Sequence, residues 1–320
     1  MKYGCLRLHD AGIRSCDMRI TKQHSRPIFD DPRTLGLLLI APAMLAIFGV
    51  VLLPMLNSLW LSFQQHDLSR PQENAFIWFR NYVDLLQDPR YLNSLQATLK
   101  FSLFSVLIEL VLGVAIAIVL NQEFRGRGFV RGLMILPWAM PSIVNAAMWK
   151  WIYNADYGAL NALLSQLHLI DHYRVWLAEP ATAMFLIILA NVWKETPFTV
   201  ILILAALQTI PDDLYEASRV DGATEWQSFL GITLPLIMPV LMVAGLLQFI
   251  WGFQTFELIS IVTGGGPFSS TEMTNLRVYA TTFRSLRFGY GAAMAYLTSL
   301  IIFIPAVVYI RSAYRKVVEV

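Results

Sequence analysis

The chain reads Glu216-Ala217-Ser218-Arg219-Val220-Asp221-Gly222 and, further on, Ile232-Thr233-Leu234-Pro235. This polar segment lies between two long apolar runs, and it guides the interpretation of the whole chain. Pro211 favours the first turn of a helix. Gly222 favours the left-handed conformation that ends a helix, so the segment predicts a short helix followed by a turn.

A second short helix is predicted after that turn. Thr224 followed by Gln227 forms the pattern of a capping box. Asp212 and Asp213 lie where the positive end of the first helix would favour acidic side chains. The segment therefore predicts helix–turn–helix, and a loop lying on lipid headgroups is the alternative interpretation.

The composition predicts an integral membrane protein. Of the 320 residues, 56% are hydrophobic and 14% are charged, whereas soluble domains carry about 25% charged residues. The net charge of +2 gives no reason to expect a nucleic-acid partner. Both cysteines, Cys5 and Cys16, lie near the N-terminus, so neither a disulfide framework nor a metal cluster is predicted.

Six apolar runs approach the roughly 20 residues that a helix needs to cross a bilayer. They predict an all-α polytopic membrane protein with six transmembrane helices, at residues 35–59, 98–120, 132–153, 181–206, 235–257 and 291–310. Prolines inside these runs predict kinks, which membrane helices tolerate. The prolines are Pro137, Pro141, Pro197, Pro239 and Pro305.

The basic residues predict the orientation of the chain. One set of loops and tails carries 14 Lys and Arg residues and the other carries 8, which predicts that both termini are cytoplasmic. We expect a cytoplasmic tail at 1–34, a six-helix transmembrane domain at 35–310 and a cytoplasmic tail at 311–320. The first run is too long for a signal peptide, so we expect it to be retained; Met18 is an alternative start to Met1.

The cytoplasmic loop at 207–234 departs from this basic pattern. It contains only Arg219 as a basic residue against Asp212, Asp213, Glu216, Asp221 and Glu225. An acidic loop gains nothing from anionic headgroups. A basic pocket on a partner protein would suit it better.

The spacing from Glu216 through Gly222 to Pro235 resembles the EAA loop of permeases in ATP-binding-cassette (ABC) importers. Ser218 stands where that family most often has a second alanine. Further motifs resemble the carbohydrate branch of the family, and in particular the first permease of the pair in maltose, trehalose and glycerol-phosphate importers. These motifs are Arg125-Gly126-Arg127, Leu136-Pro137-Trp138, Gly158 with Asn161, Asn191-Val192-Trp193 and Thr263-Gly264-Gly265-Gly266-Pro267.

The resemblance implies a type I ABC importer permease in a bacterial inner membrane. Its expected partners are a sister permease, two copies of an ABC ATPase, an extracytoplasmic solute-binding protein, the lipid bilayer and a sugar, expected to be a di- or oligosaccharide. The chain has no phosphate-binding Gly-x-x-x-x-Gly-Lys-Ser/Thr loop, so we expect no enzymatic activity and no cofactor in this chain. ATP and Mg²⁺ would be bound by the partner ATPase.

The resemblance also implies that the first helix of the loop docks on that ATPase. Helix geometry places Leu214, Ala217, Ser218 and Asp221 on one face, where small side chains allow a close approach. Glu216 lies beside this face and could accept a charge-assisted bond from an arginine. With Gly222, these residues form the predicted coupling site.

The resemblance implies that nine positions in the third, fourth and fifth runs line the sugar pathway. They are Trp138, Ser142, Asn191, Lys194, Glu195, Phe198, Gln248, Gly252 and Thr255. Trp138 and Phe198 could stack on a sugar ring, and the carboxamides could bind hydroxyls. Four positions depart from the maltose pattern, which leaves the identity of the sugar open: Lys194, Glu195, Gln248 and Gly252.

Charged residues inside the runs leave two alternatives open. Glu109, Lys194, Glu195 and Glu257 could form a proton or ion relay in a secondary transporter. Within the importers, glycerol phosphate or another polyol or anionic solute is the alternative substrate, although Lys194 is the only cation at the predicted cavity. Adjacent helical residues point about 100° apart, so Lys194 and Glu195 are not expected to face one neighbour.

Overall fold

A computed structural model describes residues 32–318 of the chain. The predicted N-terminal tail, with Met18 and both cysteines, therefore lies outside the described residues except for its last three positions. Within this part the helices are α1 (Pro32–Ile47), α2 (Leu53–Ser62), α3 (Arg80–Gln87), α4 (Pro89–Asn121), α5 (Arg127–Ala139), α6 (Ser142–Ile152), α7 (Ala159–Gln166), α8 (Pro180–Leu207), α9 (Asp212–Val220), α10 (Glu225–Ser228), α11 (Leu234–Gln254), α12 (Glu257–Val262), α13 (Thr274–Tyr279) and α14 (Phe288–Val318).

The chain divides into two compact units, one that ends at Met55 and one that begins at Leu56. In the first unit, α1 is followed by a π-helical turn at Phe48–Leu52. The second unit contains the helices α3 to α14. It also holds a hairpin of two short strands, β1 (Gln64–Gln65) and β2 (Ala75–Phe76), which the all-α prediction did not include.

Five helical stretches are long and apolar enough to cross a membrane. They are Leu35–Ser62, Pro89–Asn121, Pro180–Leu207, Glu225–Gln254 and Phe288–Val308. The pair α5 and α6 passes the same test jointly, although the two helices meet at an angle of 92°. Counting that pair as one span agrees with the predicted six.

The third predicted span, at 132–153, is thus broken rather than kinked. Met140 and Pro141 are both extended, with ψ angles of 134° and 138°, and α6 begins at Ser142. A residue that precedes proline is pushed out of the α region by the proline ring, which explains why the helix stops here. The other four prolines lie inside continuous helices, at Pro137, Pro197, Pro239 and Pro305.

The fifth predicted span, at 235–257, begins earlier than expected. A continuous helix runs from Glu225 to Gln254, and it joins α10 to α11 through a π-helical turn at Phe229–Thr233. Leu234 donates its backbone N–H to Phe229 O, five residues back. This wider turn precedes Pro235, which has no N–H to donate and whose ring crowds the carbonyl four residues before it.

The most deeply buried span is α8. In its most apolar stretch 61% of the residues are buried, against 28% for α4, for Glu225–Gln254 and for α14. Two apolar clusters surround it along its length. One contains Phe101, Ile187 and Ile259, and the other contains Ile203 and Ile237.

Small residues allow the helices to approach closely. A Cβ atom added to Gly113 of α4 would lie 2.6 Å from Thr199 Cγ2 on α8, and one added to Gly252 of α11 would lie 2.7 Å from Ser102 Oγ on α4. Membrane helices use small residues in this way because packing, rather than hydrophobic burial, holds them together. Helices α4, α8 and α11 therefore form one closely packed group.

We predict that Gly113→Val destabilises the protein, because the new side chain would overlap Thr199. Overpacking of this kind costs about 1–3 kcal/mol. Gly132→Val is the matched control, since a Cβ atom at Gly132 meets nothing within 4 Å. Thermal unfolding of the detergent-purified variants measures the difference, and equal melting temperatures for the two would contradict the packing described here.

Candidate functional site

The first helix of the polar loop, α9, ends in the way that Gly222 led us to predict. Gly222 has φ +77°. Its N–H donates to Arg219 O at 3.1 Å, and the N–H of Ala223 donates to Ser218 O at 2.9 Å. This pair of bonds is a Schellman motif, which only a left-handed residue at position 222 allows without strain.

The other predicted caps are also present, with one shift. Pro211 immediately precedes α9 instead of occupying its first turn, while Asp212 and Asp213 do lie in that turn. In the capping box, Gln227 N donates to Thr224 Oγ1 at 3.3 Å and Thr224 N donates to Gln227 Oε1 at 2.8 Å. The predicted helix–turn–helix is therefore confirmed.

Two hydroxyl pairs join α9 to the helix that follows. Tyr215 Oη lies 2.9 Å from Thr233 Oγ1, and Ser218 Oγ lies 2.9 Å from Ser228 Oγ. The Ser218 hydroxyl also donates to Tyr215 O at 3.0 Å. We call these two pairs the hydroxyl clamp.

The clamp corrects the predicted face of α9. Ser218 was expected beside Leu214, Ala217 and Asp221 on an outward face, but it points into the loop. The reason is that the capped turn folds α10 back onto α9, which covers the side that carries residues 215 and 218. The other three predicted residues are exposed, as is Glu216.

The exposed side of the loop contains two large apolar residues that were not predicted from the sequence. Val220 is 88% exposed and Trp226 is 65% exposed. The Trp226 ring stacks on Phe229 with a centroid separation of 5.3 Å. The sequence did contain a sign of this surface, since both residues are apolar in an otherwise polar, acidic loop. An exposed aromatic residue commonly anchors a protein interface.

A polar cavity of about 160 Å³ lies among α6, α8, α11 and α12. It is lined by Ser142, Asn145, Asn191, Lys194, Glu195, Gln248, Trp251, Gly252, Gln254, Thr255, Glu257 and Leu258. Seven of the nine predicted pathway residues are among them, and the remaining two are Trp138 and Phe198. The break at Pro141 contributes to this arrangement, because it places the start of α6 at the cavity.

Trp138 and Phe198 do not line the cavity but stack on each other, with ring centroids 5.7 Å apart. Phe198 also contacts Trp251, at 4.8 Å between centroids. Trp251 is therefore the aromatic side chain at the cavity. It was not predicted from the sequence, although it lies one helical turn after Gln248.

The expectation that Lys194 and Glu195 would not face one neighbour is wrong. Both side chains line the cavity, and Lys194 Nζ lies 2.7 Å from Glu195 Oε1. Adjacent Cα–Cβ bonds do diverge on a helix, but these side chains are long enough to bend back towards each other. The pair is partly buried, with 13% and 15% of the side chains exposed.

Buried hydrogen bonds orient the carboxamides at the cavity. Asn191 donates its Nδ2 to Glu109 Oε1 at 3.0 Å, and Glu109 itself is 1% exposed and does not line the cavity. Gln248 donates its Nε2 to Glu195 O and to Thr199 Oγ1, each at 3.1 Å. Polar groups from α4, α8 and α11 thus satisfy one another behind the cavity wall.

Asn145 is a further cavity residue that was not predicted from the sequence. It is 1% exposed, and its Oδ1 has no hydrogen-bond partner in the described structure. Its position three residues after Ser142 places it on the same face of α6, and this spacing could have indicated that it lines the cavity. Among residues 32–318, no group of three or more His, Cys, Asp or Glu side chains is arranged to hold a metal ion.

The motif residue Asn161 organises the loop between α6 and α8 rather than the cavity. It is fully buried, and its Nδ2 donates to Ala155 O at 3.1 Å and to Arg174 O at 3.0 Å. Its Oδ1 accepts from Arg174 N and from Trp176 Nε1. One amide therefore holds together the segment between α6 and α8.

The chain resembles known proteins over most of its length. It is 38% identical over 278 residues to the trehalose/maltose transport system permease protein MalF of Thermococcus litoralis, covering 87% of this chain and 92% of that protein. It is 32% identical over 279 residues to the trehalose transport system permease protein SugA of Mycobacterium tuberculosis, covering 87% and 88% respectively.

A solved structure shares the fold. It is a chain of a bacterial ABC transporter involved in the import of the acidic polysaccharide alginate, with a TM-score of 0.76 and 23% identity over 88% of this chain and 95% of that chain. Residues 109–316 match the family described as binding-protein-dependent transport system inner membrane component. The chain belongs to this family, and it is a multi-pass membrane permease of an ABC importer.

Proposed function

We propose that this permease forms, with a sister permease, the membrane pathway of a type I importer for a di- or oligosaccharide. Two copies of a separate ATPase would bind ATP and Mg²⁺ and drive it, and an extracytoplasmic binding protein would deliver the sugar. The observation that carries this proposal is the continuous helix Glu225–Gln254, which connects the polar loop directly to the cavity.

The loop end of this helix suits docking on another protein. The five acidic residues of the polar loop are exposed, together with Leu214, Val220 and Trp226. Such a surface would fit a groove with an apolar floor and basic edges, where Glu216 could bind an arginine. The surface is rigid, because the Schellman motif, the capping box and the hydroxyl clamp all hold it.

The cavity end of the same helix suits a sugar. It contributes Gln248, Trp251, Gly252 and Gln254 to the lining. An aromatic ring beside amide groups matches the two kinds of surface that a sugar presents, since its ring faces are apolar and its hydroxyls are polar. The names of the relatives MalF and SugA, which refer to trehalose and maltose, support the same substrate class.

The helix provides a mechanical connection between these two ends. Its 30 residues span about 45 Å at 1.5 Å per residue. Closure of the ATPases would move α9, and the hydroxyl clamp would transmit this movement to the N-terminal end of the long helix. Small shifts of packed helices of this kind are a known route to alternating states.

We predict that Glu216→Ala abolishes sugar uptake while the protein still inserts into the membrane. Loss of one partner from a buried charge pair costs about 2–5 kcal/mol at an interface, so the ATPase should no longer co-purify. Glu123→Ala, at an exposed site in another loop, is the control. Normal uptake together with normal ATPase co-purification in Glu216→Ala would refute the docking role.

We also predict that Tyr215→Phe combined with Ser218→Ala lowers coupling without lowering docking. Each lost hydroxyl pair weakens the clamp by about 0.5–1.5 kcal/mol, while the exposed surface of α9 is unchanged. The measurement is the number of sugar molecules imported per ATP hydrolysed in proteoliposomes. Tyr157→Phe, which removes a hydroxyl from an exposed tyrosine, is the control; a ratio equal to wild type in the double variant would contradict the prediction.

A further inference from the structure

A second polar cavity lies between the hairpin, α3 and the turn that precedes α14. It has a volume of about 520 Å³, and we call it the hairpin cleft. Resting on the proposed function, we infer that the extracytoplasmic solute-binding protein docks at the hairpin cleft, where Arg287 binds an acidic side chain of that protein.

The hairpin cleft lies at the end of the helical bundle opposite the polar loop. At the polar-loop end, Leu120 of α4 packs in one cluster with Leu207 of α8 and Ile237 of α11. The start of α4 adjoins the cleft instead, since Asp88 accepts a hydrogen bond from the cleft residue Tyr290 at 3.2 Å. The 33 residues of α4 separate the two ends by about 50 Å. Under the proposed function the polar loop faces the ATPases, and the hairpin cleft therefore faces the binding protein.

A row of exposed aromatic residues places the cleft on the water side of the bilayer surface. The ring of Phe76 lies between those of Trp60 and Trp78, with centroids 5.2 and 4.9 Å away. Tryptophan is enriched at the boundary between hydrocarbon and water, and Trp60 lies near the end of the first span. None of these three residues lines the cleft. The hairpin thus has an aromatic side that suits lipid and a polar side that suits water.

Backbone contacts hold the walls of the cleft, so the site is formed before a partner arrives. Asn81 Nδ2 donates to Ser62 O and to Gln64 O, each at 2.9 Å. Gly289 N, at the start of α14, donates to His66 O at 3.1 Å. A Cβ atom added to Gly289 would overlap Gln64 O, so glycine is needed for α14 to lie this close to the hairpin. A preformed surface loses little conformational entropy on binding.

The charges in the cleft are available to a partner. Three arginines and three carboxylates line it, namely Arg70, Arg80, Arg287, Asp67, Glu73 and Asp84. Its two ion pairs are long and exposed, with 3.7 Å between Arg70 and Glu73 and 3.9 Å between Arg80 and Asp84. Exposed pairs of this kind contribute little to stability. Their members can therefore exchange each other for charged groups of a docking protein.

Arg287 is the most available of these cations. Its guanidinium carbon lies 4.4 Å from the centre of the Tyr290 ring. Hydrogen bonds from Ser69 and, to a smaller extent, the charge of Arg287 lower the pKa of Asp67. Within the described residues, however, the Arg287 side chain forms neither an ion pair nor a hydrogen bond. A guanidinium stacked on a ring still presents its N–H donors, and these match a carboxylate in a bidentate pair.

The mixture of charges favours a protein over a small anion. The cleft has as many carboxylates as arginines, so a free phosphate would be repelled as well as attracted. Ile77 is the only aliphatic residue in the lining, whereas pockets for small organic ligands are mostly apolar. A protein surface can place carboxylates opposite the arginines and basic groups opposite Glu73 and Asp84, so that the charges are complementary.

Charge reversal tests the role of Arg287 in the complete importer, held in lipid nanodiscs and titrated with its fluorescently labelled binding protein. We expect Arg287→Glu to raise the Kd at least about tenfold, because a carboxylate would repel the acidic side chain of the partner. Arg287→Lys keeps the charge, and its Kd should stay within about threefold of wild type. Arg90→Glu is the matched control, since Arg90 is exposed near the start of α4 and does not line the cleft. Co-purification of the sister permease and the ATPase checks that each variant has folded.

Salt dependence separates charge recognition from a structural effect. Wild-type binding should weaken as the ionic strength rises, and Arg287→Glu should show a smaller dependence. Equal Kd values for wild type and Arg287→Glu would overturn this inference and leave the proposed function intact. A wild-type importer that does not bind the binding protein would refute the proposed function, and this inference with it.

Cross-linking locates the docked partner. Cys5 and Cys16 are the only cysteines in the chain, so replacing both by serine allows Glu73→Cys to carry a single benzophenone label. We expect this label to cross-link to the binding protein. Glu123→Cys, at an exposed site beside the polar-loop end of α4, should give no such product. Cross-links from Glu73→Cys to lipid or to the sister permease alone would contradict docking at the cleft.

Discussion

Close contact among α4, α8 and α11 is the constraint on which the rest of the structure depends. Gly113 lies against the side chain of Thr199, and Gly252 lies against the side chain of Ser102, so each glycine leaves room for only a small side chain between the backbones. At this distance the buried polar groups reach each other across the helices, as in the bond from Asn191 to Glu109. Without such partners each group would be costly within a membrane. The small residues thus allow the close approach that the hydrogen bonds between the buried polar residues require.

The same contact explains how one helix can serve two distant sites. The helix Glu225–Gln254 is attached to α8 near the cavity through Gln248, and it is attached to α9 at the polar loop through the hydroxyl clamp. A packed helix moves as a unit instead of bending freely. The helix stays continuous through the π-helical turn that lies before Pro235. Under the proposed function, docking and solute binding would therefore be properties of one element.

Family membership replaces the secondary-transporter interpretation of the intramembrane charges. Their geometry gives them other roles: Glu109 holds an amide, Lys194 and Glu195 bind each other, and Glu257 begins α12 at the cavity. The caps of the polar loop could be predicted because capping depends on neighbours within a few residues. The hydroxyl clamp could not, because Tyr215 and Thr233 meet only after the turn at Gly222 brings two helices together.

The sequence by itself determined the number of spans, the helix–turn–helix of the polar loop and most residues of the cavity. The spans and the helix–turn–helix follow from apolar length and local capping, which need no knowledge of packing, and the cavity residues follow from the resemblance to a known family. Only the tertiary structure decided that Ser218 faces inward, that Trp138 and Phe198 stack on each other, and that Trp251 reaches the cavity. Side-chain direction depends on which neighbouring helix is close enough to contact, and this is decided by packing between segments far apart in the chain.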